Sequence, residues 1–368
     1  MGTTAEGKAA RPLGVIGCLA AGFEVVGRHP WLITLPTLLD LFLWLGPRLS
    51  VAPLVRGLSA ILRSQPVYDP EMVSRAEQAM ELVEQFGEQF NLFSLLSSIP
   101  LLNLPSLLAG DAVVPSPLGE PYVLPVTSVL VLVAWCGILF PVGLVLGFLY
   151  LSGLAGRVQA MRPAQEPEAV VGESTPGVST FYASLRSGLP KMAEGEGAEG
   201  VEVERPSPGR GRIGKFVRIF VFAAGLLAIG MALTPVWVVL TGLAMTVSQL
   251  LAEIVWIISV GLASYLVLHL LFVVHGVLLG GRGLLRAIWE SAVMIHMHLP
   301  SVIVLLVIVV VVYEGLGYVW ALPPGDSWLF LIGVLGNSCV ATGLIAATFV
   351  FYRERVRVFP GAVQASGE

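Results

Sequence analysis

Between Val302 and Val312, eleven consecutive residues are apolar. That run belongs to one of six mostly apolar segments of about 20 residues or more, the length a helix needs to cross the hydrocarbon core of a bilayer. The six are 30–50, 123–152, 216–241, 249–275, 300–321 and 327–351. Trp31, Trp44, Trp237, Trp320 and Trp328 stand near the ends of several of them, as interfacial aromatics do. Only 12% of the residues are charged, against about 25% in soluble domains, and the mean hydropathy is +0.83. Such a chain has no water-facing surface all round. The fold class expected is an all-α polytopic membrane protein with six transmembrane helices and interfacial amphipathic helices.

Lys and Arg set the orientation. With the N-terminus in the cytoplasm, the inner pieces 1–29, 153–215, 276–299 and 352–368 and their edges hold 17 of the 21 basic residues. The outer side holds only Arg48, Arg56, Arg63 and Arg75. This bias places both termini on the cytoplasmic side of the cell membrane.

The pieces between the spans differ in character. The N-terminal piece, 1–29, carries an interfacial helix. Its apolar stretch is broken by Glu24 and Arg28, which argues against a signal peptide, and Glu6 breaks the myristoylation pattern. The external loop 51–122 contains an amphipathic helix at about residues 70–98, with Asp69–Pro70 as its start signal. Glu77, Glu81, Glu84 and Glu88 line one face of it, and Met72, Ala76, Met80, Val83, Phe86 and Phe90 the other. The apolar stretch that follows is interrupted by Pro100 and Pro105, too broken to span, and is expected to dip into the outer leaflet or cap the bundle. The cytoplasmic loop 153–215 is rich in Gly, Pro, Glu and Ser and reads as largely disordered. Residues 279–298 form a further interfacial helix, with Arg282, Arg286 and Glu290 on its polar side. The tail 352–368 is cytoplasmic. The helices before spans one and five share an aromatic–Glu pair (Phe23–Glu24, Trp289–Glu290), then a His (His29, His296) and a Pro. The segment 181–192 is a looser third copy, so the chain reads as three units of interfacial helix plus hairpin.

Charge inside a bilayer is costly and usually points into the bundle. The candidate intramembrane cluster is therefore Asp40, Glu314, Glu253 and Asn337, the acids at mid-depth or toward the outside. These residues either tie helices together by hydrogen bonds or line a polar cavity that handles a proton, cation or head group. Arg205, Arg210, Arg212, Lys215 and Arg218 gather at the start of span three. They are either topogenic charge or a contact for anionic lipid.

Metal and catalytic signatures are missing. The five histidines lack ligand spacing, and Cys18, Cys136 and Cys339 read as small apolar residues. There is no HExxH, GxSxG, Walker A or CxxC. No catalytic residue, metal or cofactor is expected. Small-residue seams are plain: Gly143–Gly147, Gly276–Gly280, Ala224–Ala228–Ala232 and Gly333–Asn337–Ala341. They suit a tight bundle or contacts to a partner subunit.

The stretches GFEVVGRHPWLITLPTLLDLFLW, LLRAIWESAVMIHMHLPSVIVLLVIVVVV and GNSCVATGLIAATFVFYRER resemble bacterial six-helix membrane proteins of unknown function, like the membrane region attached to some glycerophosphodiester phosphodiesterases. The resemblance implies the six-span layout. No phosphodiesterase domain accompanies it, so it implies no activity. The function expected is a scaffold or accessory subunit, or a lipid-accommodating bundle. The alternatives are a proton- or cation-linked transporter using the intramembrane carboxylates and, more distantly, an intramembrane enzyme. Expected partners are membrane lipids, other membrane subunits or a second copy, and no nucleic acid.

Overall fold

The computed structural model describes residues 13–64, 70–97, 101, 102, 104–110, 114–161 and 208–356. The candidate third repeat copy at 181–192, Asp69 and Arg205 lie outside them. The elements in chain order are α1 (Val15–Arg28), a 3-10 turn (Pro30–Ile33), α2 (Thr34–Leu45), β1 (Arg48–Ser50), α3 (Ala52–Arg63), α4 (Pro70–Gln89), a second 3-10 turn (Leu92–Leu96), β2 (Val123–Pro125), α5 (Val129–Ala160), α6 (Pro208–Val247), α7 (Gln249–Leu270), α8 (Val273–Gly280), α9 (Leu284–Trp320) and α10 (Phe330–Val356). Among the described residues, five stretches are long and apolar enough to cross a membrane: α5, 211–247 in α6, α7 with α8, α9 and α10. The chain is a multi-pass, all-α integral membrane protein.

The first expected span differs from the other five. Pro30–Leu45 is a shorter apolar helix, because Pro30 and Pro36 crowd its start and Gly46–Pro47 closes it. Its chain then runs into β1, which pairs in parallel with β2 in the register Leu49↔Leu124. This two-stranded clasp ties the outer end of α2 to the start of α5. A three-residue strand carries too little pattern to be read from sequence.

Helix α10 forms the axis. Buried residues cover most of it, from Phe330 through Val334, Ala341, Leu344 and Ala347 to Tyr352, and leave an exposed flank at Ile332 and Leu335. A helix this heavily buried needs small residues where neighbours cross. Gly22 of α1 lies so close to α10 that an added Cβ would stand 2.5 Å from the Gly343 carbonyl and the Ala347 amide. Gly343 in turn seats the Phe23 ring. At the outer end, Gly333 admits the backbone of Trp320, and Gly336 its ring. The Gly333–Asn337–Ala341 seam is thus a packing surface between α10 and its neighbours.

Both helices expected at the interface end where the sequence breaks them. His29, before Pro30, and His298, two residues before Pro300, both leave helical geometry. Proline removes a backbone donor and clashes with the preceding turn, so each break falls just upstream of it. The N-terminal part of α9 and the span after it are therefore one kinked helix. Arg286 pairs with Glu290 at 2.9 Å, and Arg282 pairs with the same carboxylate. Glu24 and Arg28 make the matching pair on α1.

The hairpin α3–α4 sets part of the acidic stripe of α4 against α3. The ion pairs are Arg63–Glu84 at 3.0 Å and Arg56–Glu88 at 3.6 Å. Gly87 makes room for Val55 there. Val83 and Phe86, expected on the packed face, are exposed. Arg56 and Arg63 of α3, a helix the sequence reading did not anticipate, pair with Glu88 and Glu84 of that stripe, while Glu77 and Glu81 stay exposed.

Candidate functional site

Asp40 is the most enclosed of the intramembrane acids: its relative exposure is 0%. Helix α2 carries it on the stripe that also buries Thr37 and Trp44. Its partners come from the Pro-broken external stretch. The Ser106 hydroxyl donates to Asp40 Oδ1, and the Leu107 amide donates to both carboxylate oxygens at 3.0 Å. The Leu108 amide lies 3.4 Å from Oδ1. Ser106 Oγ itself accepts from the amides of Leu108 and Ala109, at 3.2 and 3.0 Å. One carboxylate and one hydroxyl thus satisfy the backbone donors of a turn that has no helix or strand to satisfy them.

That need follows from depth. Leu102's carbonyl packs against Gly147, about 27 Å along α5 from Val129 at the rise of an α-helix. Tyr313, whose hydroxyl donates to the Ser106 carbonyl at 3.2 Å, stands about 10 Å below the end of α9 at Trp320. The segment from Leu92 to Leu108 therefore re-enters the bundle. It buries Leu92, Phe93, Leu96, Leu102, Leu104, Leu107 and Leu108 in the common core, with Phe93 edge-on to Phe42 at 5.1 Å and to Trp135 at 6.0 Å. Irregular backbone at membrane depth persists only where protein covers it and pairs its polar groups. Asp40 performs that pairing. Above it, Trp44 Nε1 donates to the carbonyls of Gly325 (2.8 Å) and Pro115 (3.1 Å), and Arg48 donates to Val114. These bonds hold the lid down over the latch.

The other candidate residues are dispersed. Glu314 is exposed on α9. Its neighbour Tyr313 is the residue that turns toward the re-entrant segment, and one helical step of about 100° carries Glu314 away from it. Glu253 is exposed near the start of α7 and accepts from Gln249 Nε2 at 3.2 Å, one turn away. Asn337 is 2% exposed inside α10, and its amide nitrogen has no hydrogen-bond partner among the described residues. Asp40 and Asn337 thus lie inside the bundle, and Glu314 and Glu253 on its surface. The missed participants are Ser106, Tyr313 and Trp44; a Ser in an apolar stretch between prolines is their one sequence trace.

The basic cluster at span three divides similarly. Lys215 Nζ donates to the Leu278 carbonyl at 2.8 Å, and Arg218 to those of Gly281 and Arg282 at 2.6 and 3.0 Å. These are the last, unpaired carbonyls of α8 and its Gly281 cap, where cations also meet the negative end of the helix. Arg353 does the same for Val158 and Met161 at the end of α5. Arg212 is exposed, and the Arg210 side chain lies outside what the structure describes. The sequence's topogenic charges thus include C-terminal caps.

A shallow pocket of about 60 Å³ opens between Phe86, Phe90, Asn91 and Gly110, at the rim of the re-entrant segment. Among the described residues, no group of three or more His, Cys, Asp or Glu side chains is placed to hold a metal ion. Burial pushes the Cys18 thiol up to about 11, which makes it a packing residue and not a reactive one. No protein-family model, curated protein or solved structure matches the chain.

Proposed function

We propose that the protein is an accessory subunit of the cell membrane, without a catalytic centre of its own, whose α6–α7 hairpin docks against another membrane protein while the α10 core holds it rigid. The observation that carries this reading is the state of the small-residue seams. Gly147, Gly276 and Gly333 are each filled by a neighbour within the chain. Along α6, Ala228 and Ala232 are exposed, and nothing lies within 4 Å of a Cβ built at Gly225 or Gly230. In lipid, helix association is driven by close packing at such seams. An unfilled one is suited to a helix from elsewhere.

The intramembrane polar groups support a structural role as well. Asp40 is consumed in latching the re-entrant segment, and Tyr150 donates to Thr342 at 3.0 Å between α5 and α10. Both termini are cytoplasmic in this reading, following the distribution of Lys and Arg. A photoreactive residue at Ala232 in native membranes is expected to give discrete protein adducts. One at Ile332, on the exposed flank of α10, is expected to give lipid adducts alone. Lipid adducts alone at both positions would remove the accessory-subunit reading. A reporter enzyme fused after Glu368 checks orientation; external activity there overturns it.

A further inference from the structure

Three polar side chains of α2 and α10 are buried without a hydrogen-bond partner among the described residues. Trp44 of α2 packs on Phe330 of α10 with ring centroids 5.2 Å apart. The two helices run in opposite senses: α2 rises from its start near the α1 turn toward this contact, and α10 descends from it to the α1 crossing at Gly343. Thr37 and Asn337 each lie seven residues inward of the aromatic contact. Seven residues are nearly two full turns, so each returns to the side of its helix that faces the other, about 10 Å deeper. Ser338 is adjacent. All three are buried, at 9%, 2% and 0% exposure. Thr37 Oγ1, Asn337 Nδ2 and Ser338 Oγ all have no hydrogen-bond partner among the described residues.

A single unpaired polar atom is an ordinary exception; two on facing stripes at one depth, with a third one step round the same helix, are a pattern. Buried polar groups are nearly always paired, and where protein does not pair them, ordered water does. Two hydroxyls can each donate and accept, and the amide nitrogen of Asn337 donates. That set matches a ligand which also does both. We propose that Thr37, Asn337 and Ser338 bind a small cluster of internal water between α2 and α10, one helical turn below Asp40. The site is hydrated polar volume in the middle of the membrane. Its upper neighbour, on the same stripe of α2, is the carboxylate that holds the re-entrant segment.

Radiolytic footprinting of the intact protein in lipid nanodiscs tests this directly, because the pulse generates hydroxyl radical from bound water in place. Val334, buried one turn above Ser338 on α10, is expected to be oxidised well above Val302, a residue of the same type buried in α9. Equal, background labelling of the two valines overturns the proposal. The second readout is the sign of a stability change. If the three groups are dry, the isosteric variants Thr37→Val and Ser338→Ala each raise the melting temperature by removing an unpaired buried polar atom. If they share water, each variant strands that water's remaining partners and lowers it. The double variant then costs less than the two singles added together. Raised melting temperatures overturn the proposal even if a variant retains normal assembly.

Discussion

Helix α10 has the lowest mean hydropathy of the five long membrane stretches, 1.8 against 2.3 for α6 and 2.4 for α7 with α8. It is also the most buried. Some 61% of its most apolar window lies inside the protein, compared with 17% for each of the other two. In water this ordering would be reversed. In a bilayer, lipid solvates leucine and valine as well as a protein core does, so hydropathy alone gives no reason to be inside. What draws α10 to the centre is the capacity for close approach and for internal hydrogen bonds: Gly333, Gly336, Gly343 and Ala347 for the first, Thr342 and Thr348 for the second. The outer halves of α6 and α7 are lined by Val, Leu, Ile and Met with open glycines between them, and they pack mainly on each other.

Mutations sort by which side of that comparison they touch. Asp40→Ala is expected to cost most. It leaves the Leu107 amide and the Ser106 hydroxyl buried without an acceptor, at about 1–3 kcal/mol for each stranded group; the Leu108 amide keeps Ser106 Oγ. Thermal unfolding in detergent measures the cost. Protease access to the re-entrant segment, absent in the parent and gained in the variant, identifies its cause; a stable, protected D40A protein would show that the latch is dispensable. Gly22→Leu comes next. The side chain has no space against the Gly343 carbonyl and Ala347 backbone, and overpacking of this kind costs about 1–3 kcal/mol. Its matched control is Gly230→Leu in α6, where an added Cβ has nothing within 4 Å and the melting temperature is expected to hold. If the two glycines respond alike, the division between core and arm fails. Tyr150→Phe removes the bond to Thr342 and is expected to cost about 0.6–1.7 kcal/mol, the range of hydrogen bonds between membrane helices, measured by the same unfolding assay. Glu314→Gln is expected to change stability least, within about 0.5 kcal/mol. A larger loss would mean that Glu314 has a partner within the fold.

The sequence made the helices legible because lipid imposes a length and the prolines impose breaks. Long apolar runs locate the spans, and His29–Pro30 and His298–Leu299–Pro300 mark where interfacial helix turns into membrane helix. Angular position was harder to read. Asp40 and Glu314 both interrupt apolar runs, and a hydropathy profile treats them alike. They differ in what shares their face: Thr37, Leu43 and Trp44 around Asp40 are buried, whereas Val310, Val311 and Tyr318 around Glu314 are exposed. Those stripes are equally apolar as letters. The partners of Asp40 were less visible still, because they are backbone amides of a segment 66 residues away, and any residue other than proline brings an amide. The role of Lys215 and Arg218 as caps was hidden for the same reason: the carbonyls that they satisfy belong to the end of a different helix.

The crossing of Gly22 on Gly343 also bears on how the protein is made. Helix α1 and the short, acid-bearing α2 leave the ribosome early, yet the helix against which they pack is synthesised only after four other long helices. Until then α2 has neither the Trp44–Phe330 contact nor, at first, the amides that occupy Asp40. A short helix with a bare carboxylate is a poor candidate for spontaneous insertion, and contacts between such distant residues close slowly. The N-terminal unit therefore lacks the surface on which it packs until α10 has been made. A chain that stops short of α10 leaves Gly22 and Phe23 without the backbone they pack against.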